Sequence, residues 1–146
     1  MKTFSYRAAL EPGEAHGVVV VTFPDVPEAI SEGRGDAEAL RQAEEALGLA
    51  LLSYPARNLP LPEPASVAGP YVTITPDIAA KLAVIEAFAA SGLSKAELGR
   101  RIGRDEREVR RILDPMHATR LPALTATLAA LGRRLVIGVE DLSPAA

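Results

Sequence analysis

The 146-residue sequence contains no cysteine, no tryptophan and only two histidines. Without cysteine the chain has no disulfide framework, no thiol chemistry and no cysteine-based metal site. His16 and His117 stand alone, and neither has a second histidine at the spacing that metal ligands need. We therefore expect that the protein holds no metal and no other cofactor.

Long apolar segments are absent as well. The chain has no run of 18 apolar residues that would span a membrane. Its start, MKTFSYRAALEPGE, lacks the apolar core of a signal peptide. We therefore expect a cytoplasmic protein with no membrane partner. The hydrophobic content of 48% is enough for a core, and a chain of 146 residues fits one medium domain or two small ones.

Motifs that carry catalysis are also missing. Gly33 and Gly35 do not belong to a G-x-x-x-x-G-K-S/T phosphate-binding loop, and no serine lies in a G-x-S-x-G turn. Asp25 lies between two prolines without a second carboxylate at a readable spacing, whereas a two-metal nuclease needs several converging acids. The sequence therefore predicts that the protein is not an enzyme and that Asp25 bonds the backbone of its own turn.

The net charge of −3 conceals a difference between two halves. Residues 1–76 hold 5 Lys or Arg and 10 Asp or Glu, whereas residues 77–146 hold 11 and 9. The stretch 94–120 alone holds 8 basic and 5 acidic groups. We therefore predict two domains, 1–76 and 77–146, with different partners. The basic half can meet phosphate, and the acidic half either meets a basic protein or is only kept soluble by its charge.

Residue alternation and turn residues predict an α+β layer in the first half, in the order β-β-β-α-β. The predicted strands cover residues 3–10, 18–23, 28–31 and 71–74, and the predicted helix covers residues 36–53. Gly33, Arg34 and Gly35 are expected to form a turn, and Pro55 is expected to stop the helix. The last strand is expected to join the same sheet as the others.

Residues 93–113, LSKAELGRRIGRDEREVRRIL, predict a helix-turn-helix. Ser94 with Glu97 three residues later is a capping signal for the first helix, and Asp105 caps the second. Gly103 suits the left-handed end of the first helix. Gly99 lies on its inner side, where the second helix must approach closely.

Three further elements are predicted around this segment. A helix that starts at Pro76 has Ile78, Leu82, Ile85 and Phe88 as its expected buried face. A helix over residues 121–131 carries a stripe of leucines at positions 121, 124, 128 and 131. Residues 135–139 offer a short C-terminal strand of the kind that pairs across a dimer.

The second helix of the motif presents a basic outer face. Val109, Ile112 and Leu113 are its expected inner face, which leaves several arginines outside. A short helix of this kind after a tight turn suits the major groove of DNA. The alternative is a helical hairpin whose charged face is only solvated. The predicted DNA-binding residues are Lys95, Arg104, Arg107, Arg110, Arg111 and Arg120.

Two resemblances follow from these residues. The order of Gly99, Gly103, Val109 and Ile112 resembles the helix-turn-helix of Xre/Cro-like repressor domains. The first half resembles the N-terminal domain of HicB-type antitoxins, in which a strand hairpin leads to an F-P-D-x-P turn and then to a helix. The matching segments are FPDVP at 23–27, SEG at 31–33 and EAL at 38–40, with LPEP at 61–64 and the strand at 71.

This chain departs from the HicB pattern at two positions. The family usually has P-G where this chain has Pro27 and Glu28, and it usually has a threonine helix cap where this chain has Gly35. Either Gly35 or Asp36 must therefore start the helix. We expect these changes to alter local contacts with a partner and to leave the fold intact.

The HicB resemblance covers nearly all of residues 1–141 and implies a fold and a function for each half. Residues 1–76 would form a partial ribonuclease-H-like domain that binds and masks a small basic HicA-type toxin, an RNA-cleaving enzyme. Residues 77–146 would bind operator double-stranded DNA and repress the operon of the toxin and antitoxin. The sequence does not identify the toxin-contact residues. We expect a homodimer or a tetramer, because a helix-turn-helix usually works on two half-sites.

Two other functions remain open at this point. The chain can be a free-standing helix-turn-helix repressor whose first domain senses a small molecule or only dimerises. It can also be a degenerate nuclease that depends on Asp25. A small basic protein that copurifies with the chain would distinguish the antitoxin from both.

Overall fold

The computed structural model describes residues 1–142, which divide into two compact units. An N-terminal unit contains Met1–Thr75 and a C-terminal unit contains Pro76–Val139. Five helices and two small antiparallel sheets make the described chain an α+β protein, as the sequence predicts.

The N-terminal unit has the element order β-β-β-β-α-β. Its elements are β1 (Ser5–Arg7), β2 (Ala9–Pro12), β3 (Val18–Thr22), β4 (Ile30–Arg34), α1 (Gly35–Ala56) and β5 (Tyr71–Thr73). Strands β2, β3 and β4 form an antiparallel meander in which Leu10 pairs with Val21 and Val20 pairs with Glu32. The buried face of α1 includes Ala39, Ala43, Leu47 and Leu51. Its apolar stripe therefore covers one face of a small sheet layer.

The prediction of one continuous first strand and one sheet is wrong. The strand breaks at Ala8, whose N–H donates to the carbonyl of Pro70 at 2.9 Å. Gly69 permits this approach, because a Cβ atom at that position would collide with the carbonyl oxygen of Ala8. As a result β1 pairs with β5 in a separate two-stranded sheet, and β2 pairs with β3.

The predicted turn at residues 33–35 is also wrong, since Gly33 and Arg34 belong to β4. Gly33 lies where a Cβ atom would come within 2.5 Å of the backbone nitrogen of Ala39, so α1 can fold back directly against the strand. The helix begins at Gly35 without a side-chain cap from Arg34. Instead the carboxylate of Glu38 accepts the N–H of Arg34 at 2.6 Å, which satisfies one exposed donor of the first turn.

Pro55 does not stop α1 where the sequence predicts. The helix continues through Pro55 to Ala56, and the N–H of Arg57 donates to the carbonyls of Ser53 and Tyr54 at 3.2 and 3.0 Å. A proline in the last turn removes only one intrahelical hydrogen bond, and the chain ends the helix one residue later. The proline is therefore tolerated within the last turn of α1, and it only limits how far the helix extends beyond that turn.

The C-terminal unit contains only helices among its described elements. They are α2 (Pro76–Ser91), α3 (Lys95–Ile102), α4 (Glu106–Leu113) and α5 (Leu121–Ala130). The buried cluster of this unit consists of Ala80, Val84, Ala87, Ile112, Leu124 and Leu128.

The predicted buried face of α2 is only partly correct. Leu82 is buried, whereas Ile78, Ile85 and Phe88 are half-buried. The residues that enter the cluster are the small ones, Ala80, Val84 and Ala87, because short side chains let neighbouring helices approach closely. On α5 the leucines at 124 and 128 are buried and the leucine at 131 packs against the cluster, but the leucine at 121 is 42% exposed.

The predicted strand at residues 135–139 is not formed in the described chain. Val136, Ile137 and Val139 are exposed there, and Leu135 packs partly against the helical cluster. A lone segment has no second strand to bond its backbone, so pairing across a dimer stays a prediction. The expected fraying of residues 143–146 lies outside the described residues.

Candidate nucleic-acid interface

The first helix of the candidate site, α3, begins as the sequence predicts. Ser94 has extended backbone angles, and its hydroxyl oxygen accepts the N–H of Glu97 at 3.1 Å. The Ser94 hydroxyl in turn donates to the Glu97 carboxylate at 3.0 Å. These bonds satisfy one of the unpaired donors of the first helical turn and fix the point where α3 starts.

The turn between α3 and α4 requires two glycines for different reasons. Gly103 ends α3 in the left-handed region, with φ 69° and ψ 34°. Gly99 is buried against the turn itself, where a Cβ atom would lie 2.6 Å from the carbonyl oxygen of Arg104. The N–H of Arg104 donates to the carbonyl of Gly99 at 2.9 Å. A close approach at Gly99 is therefore present, but it is made by the turn backbone, whereas the second helix comes no closer than 3.4 Å to that Cβ position, through a methyl group of Val109.

The second helix, α4, has an acidic cap and an apolar inner face. The Asp105 carboxylate accepts the N–H of Glu108 at 2.8 Å. Val109 and Ile112 are buried, and Leu113 is half-buried against the helical cluster. These contacts confirm the predicted cap and inner face, so the other side of α4 faces outward.

Every predicted DNA-binding side chain is exposed. Arg107, Arg110 and Arg111 project from α4, and the Arg110 guanidinium lies 3.3 Å from the Glu106 carboxylate one turn earlier. Such an exposed pair contributes at most about 0.5 kcal/mol, so it does not hold Arg110 away from a stronger anion. Lys95 is the first residue of α3, Arg104 lies in the turn and Arg120 immediately precedes α5.

The structure also shows basic residues that the sequence interpretation did not select. Arg100 and Arg101 lie in the last turn of α3, and Arg133 and Arg134 follow α5; all four are exposed. The Arg101 guanidinium donates to the carbonyl of Ala130 at 3.4 Å. Charge alone does not distinguish these four arginines from the predicted DNA-binding arginines. The two sets differ only in their positions in the fold.

A buried lysine behind α4 was missed by the sequence interpretation. Lys81 on α2 is only 4% exposed, and its ammonium donates to the carbonyls of Arg111 and Ile112 and to the Thr119 hydroxyl. Burial lowers the pKa of Lys81 to about 8, while the nearby Asp114 carboxylate opposes this shift. The sequence did contain a signal for this burial. Lys81 lies three residues after Ile78 and four before Ile85, which places it on the same face of the helix as these two apolar residues.

Asp25 in the N-terminal unit has a structural partner. Its carboxylate accepts the N–H of Ser66 at 2.9 Å, so the prediction that it bonds its own turn is wrong. The hydroxyl of Tyr6 donates to the carbonyl of Pro62 at 2.7 Å. Together these bonds hold the proline-rich stretch 55–70 against the rest of the unit.

A second set of polar contacts joins Glu28, which directly follows the FPDVP turn, to the end of α1. The Tyr54 hydroxyl donates to the Glu28 carboxylate at 2.6 Å, and the Arg57 guanidinium lies 3.5 Å from Glu28 and over the Tyr54 ring. The hydrogen bond from Tyr54 lowers the pKa of Glu28, with a smaller contribution from Arg57. Glu28, where the HicB pattern usually has glycine, thus contacts α1 directly.

Residues 1–142 offer neither a metal-binding cluster nor a membrane-spanning helix. This part of the chain contains no group of three or more His, Cys, Asp or Glu side chains placed to hold a metal ion. None of its helices is both long enough and apolar enough to cross a bilayer.

Comparison with known proteins gives relatives along almost the whole chain, although no protein-family model matches it. The chain is 36% identical over 140 residues to Antitoxin HicB 1 of Photorhabdus laumondii, an alignment that covers 96% of this chain and 90% of that protein. It is 34% identical over 132 residues to Antitoxin HicB of Escherichia coli K12, with 89% and 95% covered. Antitoxin HicB of Pseudomonas fluorescens is 33% identical over 138 residues, with 92% and 94% covered. Similarity of this extent, through both units, shows that the chain belongs to the HicB antitoxin family.

Proposed function

We propose that this protein is an antitoxin that neutralises a small HicA-type RNA-cleaving toxin and binds operator DNA to repress its own operon. The observation that carries the proposal is the similarity to proteins named HicB antitoxin over 89 to 96% of the chain. Because the alignments extend through both units, they support a shared role for the whole chain and not for one half alone.

The distribution of charge supports a division of labour between the two domains, 1–76 and 77–146. Residues 1–76 carry twice as many acidic as basic groups, which suits a basic toxin. The antiparallel meander β2–β3–β4 followed by α1 is compatible with the partial ribonuclease-H-like domain that the resemblance implies. We assign toxin binding to this domain.

The geometry of α3 and α4 supports operator binding by residues 77–146 through an Xre/Cro-like helix-turn-helix. Two capped eight-residue helices are joined by a tight turn, and the outward side of the second helix carries Arg107, Arg110 and Arg111. Arg107, nearest the start of α4, is assigned to base edges, and the other two to bases or phosphates. Lys95, Arg104 and Arg120 are assigned to phosphate contacts.

A helix-turn-helix protein usually binds as a two-fold dimer on half-sites roughly 34–36 Å apart. We therefore propose that the active species is at least a homodimer. If both domains associate, the species is a tetramer.

The experiment that tests the function is co-expression with the small reading frame beside this gene, followed by pull-down through a tag on this chain. A stable complex, together with toxicity when the neighbour is expressed alone, would establish the antitoxin role. Without a partner or toxicity, operator binding alone would identify a free-standing repressor, and the N-terminal domain would then be tested for ligand sensing or dimerisation.

A further inference from the structure

Lys81 is a buried cation with three acceptors from two other parts of the C-terminal unit. Its Nζ atom lies 2.7 Å from the carbonyl oxygen of Ile112, 3.2 Å from that of Arg111 and 2.6 Å from the Thr119 hydroxyl. The side chain extends from the middle of α2 to the end of α4 and to the loop before α5. A buried ammonium is costly unless such partners surround it, so its position is set by these acceptors.

The carbonyls that Lys81 binds belong to the C-terminal turn of a very short helix. Helix α4 has eight residues, and its last four carbonyls have no partner within the helix. A cation at this end also interacts favourably with the helix dipole. Asp105 caps the other end of α4, so each end is held by one charged side chain.

The same turn carries two of the arginines assigned to DNA. Arg110 and Arg111 are in the last turn of α4, and the carbonyl of Arg111 is itself bound by Lys81. If this turn frays, the backbone from which both guanidinium groups project no longer has one fixed position. Contact with a base edge depends on that position more strongly than contact with phosphate does.

We propose that Lys81 is a positioning residue for DNA recognition, which holds the C-terminal turn of α4 so that Arg110 and Arg111 meet the operator in one geometry. This inference rests on the proposed operator binding. Lys81 acts through α4 and not by touching DNA, because its side chain is almost completely buried.

Protonation of Lys81 gives the inference a specific signature. The neutral amine has two N–H donors for the α4 carbonyls and a lone pair that can accept the Thr119 hydroxyl, so deprotonation keeps the contacts but removes the charge that strengthens the two bonds to α4. Of the charged groups around Lys81, which include Asp77 one turn earlier on α2 and Arg120 beside Thr119, Asp114 is the one that opposes the effect of burial.

The test compares full-length wild-type protein with Lys81→Met, which keeps the length of the side chain and removes the donors. Operator affinity is measured by fluorescence anisotropy, and exchange of the α4 amides is measured by NMR without DNA. We expect Lys81→Met to bind the operator at least about tenfold more weakly and to exchange the last α4 amides faster. Thr119→Val, which removes one acceptor at constant shape, is expected to give a smaller effect in the same direction.

Leu82→Ala is the matched control, because this neighbouring residue of α2 is buried and binds none of the acceptors. It should lower the unfolding midpoint and leave operator affinity unchanged well below that midpoint. If Leu82→Ala and Lys81→Met weaken the operator complex equally, Lys81 is only structural and the inference is wrong. Unchanged operator affinity in both single variants, Lys81→Met and Thr119→Val, would also overturn the inference.

A pH series separates positioning from stability. Between pH 7 and 9.5 wild-type operator affinity should fall relative to Lys81→Met, whereas wild-type stability should rise relative to it, because the folded state releases the proton first. A purely structural role would move both quantities in the same direction and would refute the inference. If wild-type protein does not bind its operator at all, the proposed function fails, whatever the exchange data show.

Discussion

Replacement of the arginine pair at the end of α4, as Arg110→Ala with Arg111→Ala, should weaken operator binding and leave the fold and toxin binding intact. The Arg110 side chain is 62% exposed, and the Glu106 carboxylate with which it forms an ion pair is 52% exposed. Loss of that pair costs at most about 0.5 kcal/mol, and alanine has a higher helix propensity than arginine. The free energy of unfolding should therefore change by less than about 1 kcal/mol.

The effect on DNA depends on what the two arginines contact. Two bidentate contacts with guanine would together contribute about 2–6 kcal/mol, so the affinity for the operator would fall roughly 30-fold to 20,000-fold. If the arginines bind phosphate instead, affinity for any sequence falls, and the slope of log K against log salt decreases by about 2 units. The two contact types are therefore distinguishable in one experiment.

The assay is fluorescence anisotropy with operator and scrambled duplexes at several salt concentrations, combined with toxin pull-down. Arg133→Ala with Arg134→Ala is the matched control, because these two adjacent arginines are also exposed and carry the same charge outside α4. Equal effects of both pairs would mean that only net charge matters. Unchanged binding in the Arg110 and Arg111 variant would refute the assignment of α4 to the groove, and joint loss of DNA and toxin binding would show that the pair is structural.

Three further predictions concern other parts of the chain. Residues 1–76 alone should bind the toxin in pull-down; a requirement for residues 77–146 would contradict the division of labour. Gly99→Ala should weaken operator binding, because its Cβ atom would displace the turn at Arg104, although alanine gains about 1 kcal/mol of helix propensity; wild-type affinity would show that the turn adapts. Asp25→Ala should destabilise the N-terminal unit by about 1–3 kcal/mol in urea, since the N–H of Ser66 loses a charged acceptor. Asp25→Asn should be milder, and any metal-dependent RNA cleavage that it abolished would instead support the nuclease alternative.

The positions of the helix ends around the candidate site could be predicted from the sequence. Ser94 caps α3, Gly103 ends it and Asp105 caps α4, as their residue types indicate. Each of these effects depends on a residue and its neighbours within three or four positions, so the local sequence contains all the necessary information. The inner face of α4 was predictable for the same reason, because helical periodicity alone places Val109 and Ile112 together.

Features that depend on distant residues could not be predicted in this way. The first strand breaks where the N–H of Ala8 donates a hydrogen bond to the carbonyl of Pro70. The Asp25 carboxylate accepts the N–H of Ser66 and not one from its own turn. On α2, the distance to the neighbouring helices decides whether the large or the small apolar residues enter the buried cluster. A sequence pattern gives the faces of a helix but not the distance to what lies beyond them.

The sequence by itself thus determined the α+β class, most helix boundaries and the exposed basic face of α4. Only the tertiary structure decided which strands share a sheet and that Lys81 reaches the last carbonyls of α4 from 30 or more residues away. The physical reason is that caps and periodicity act over single helical turns, whereas strand partners and buried polar contacts depend on which distant segments the folded core brings together.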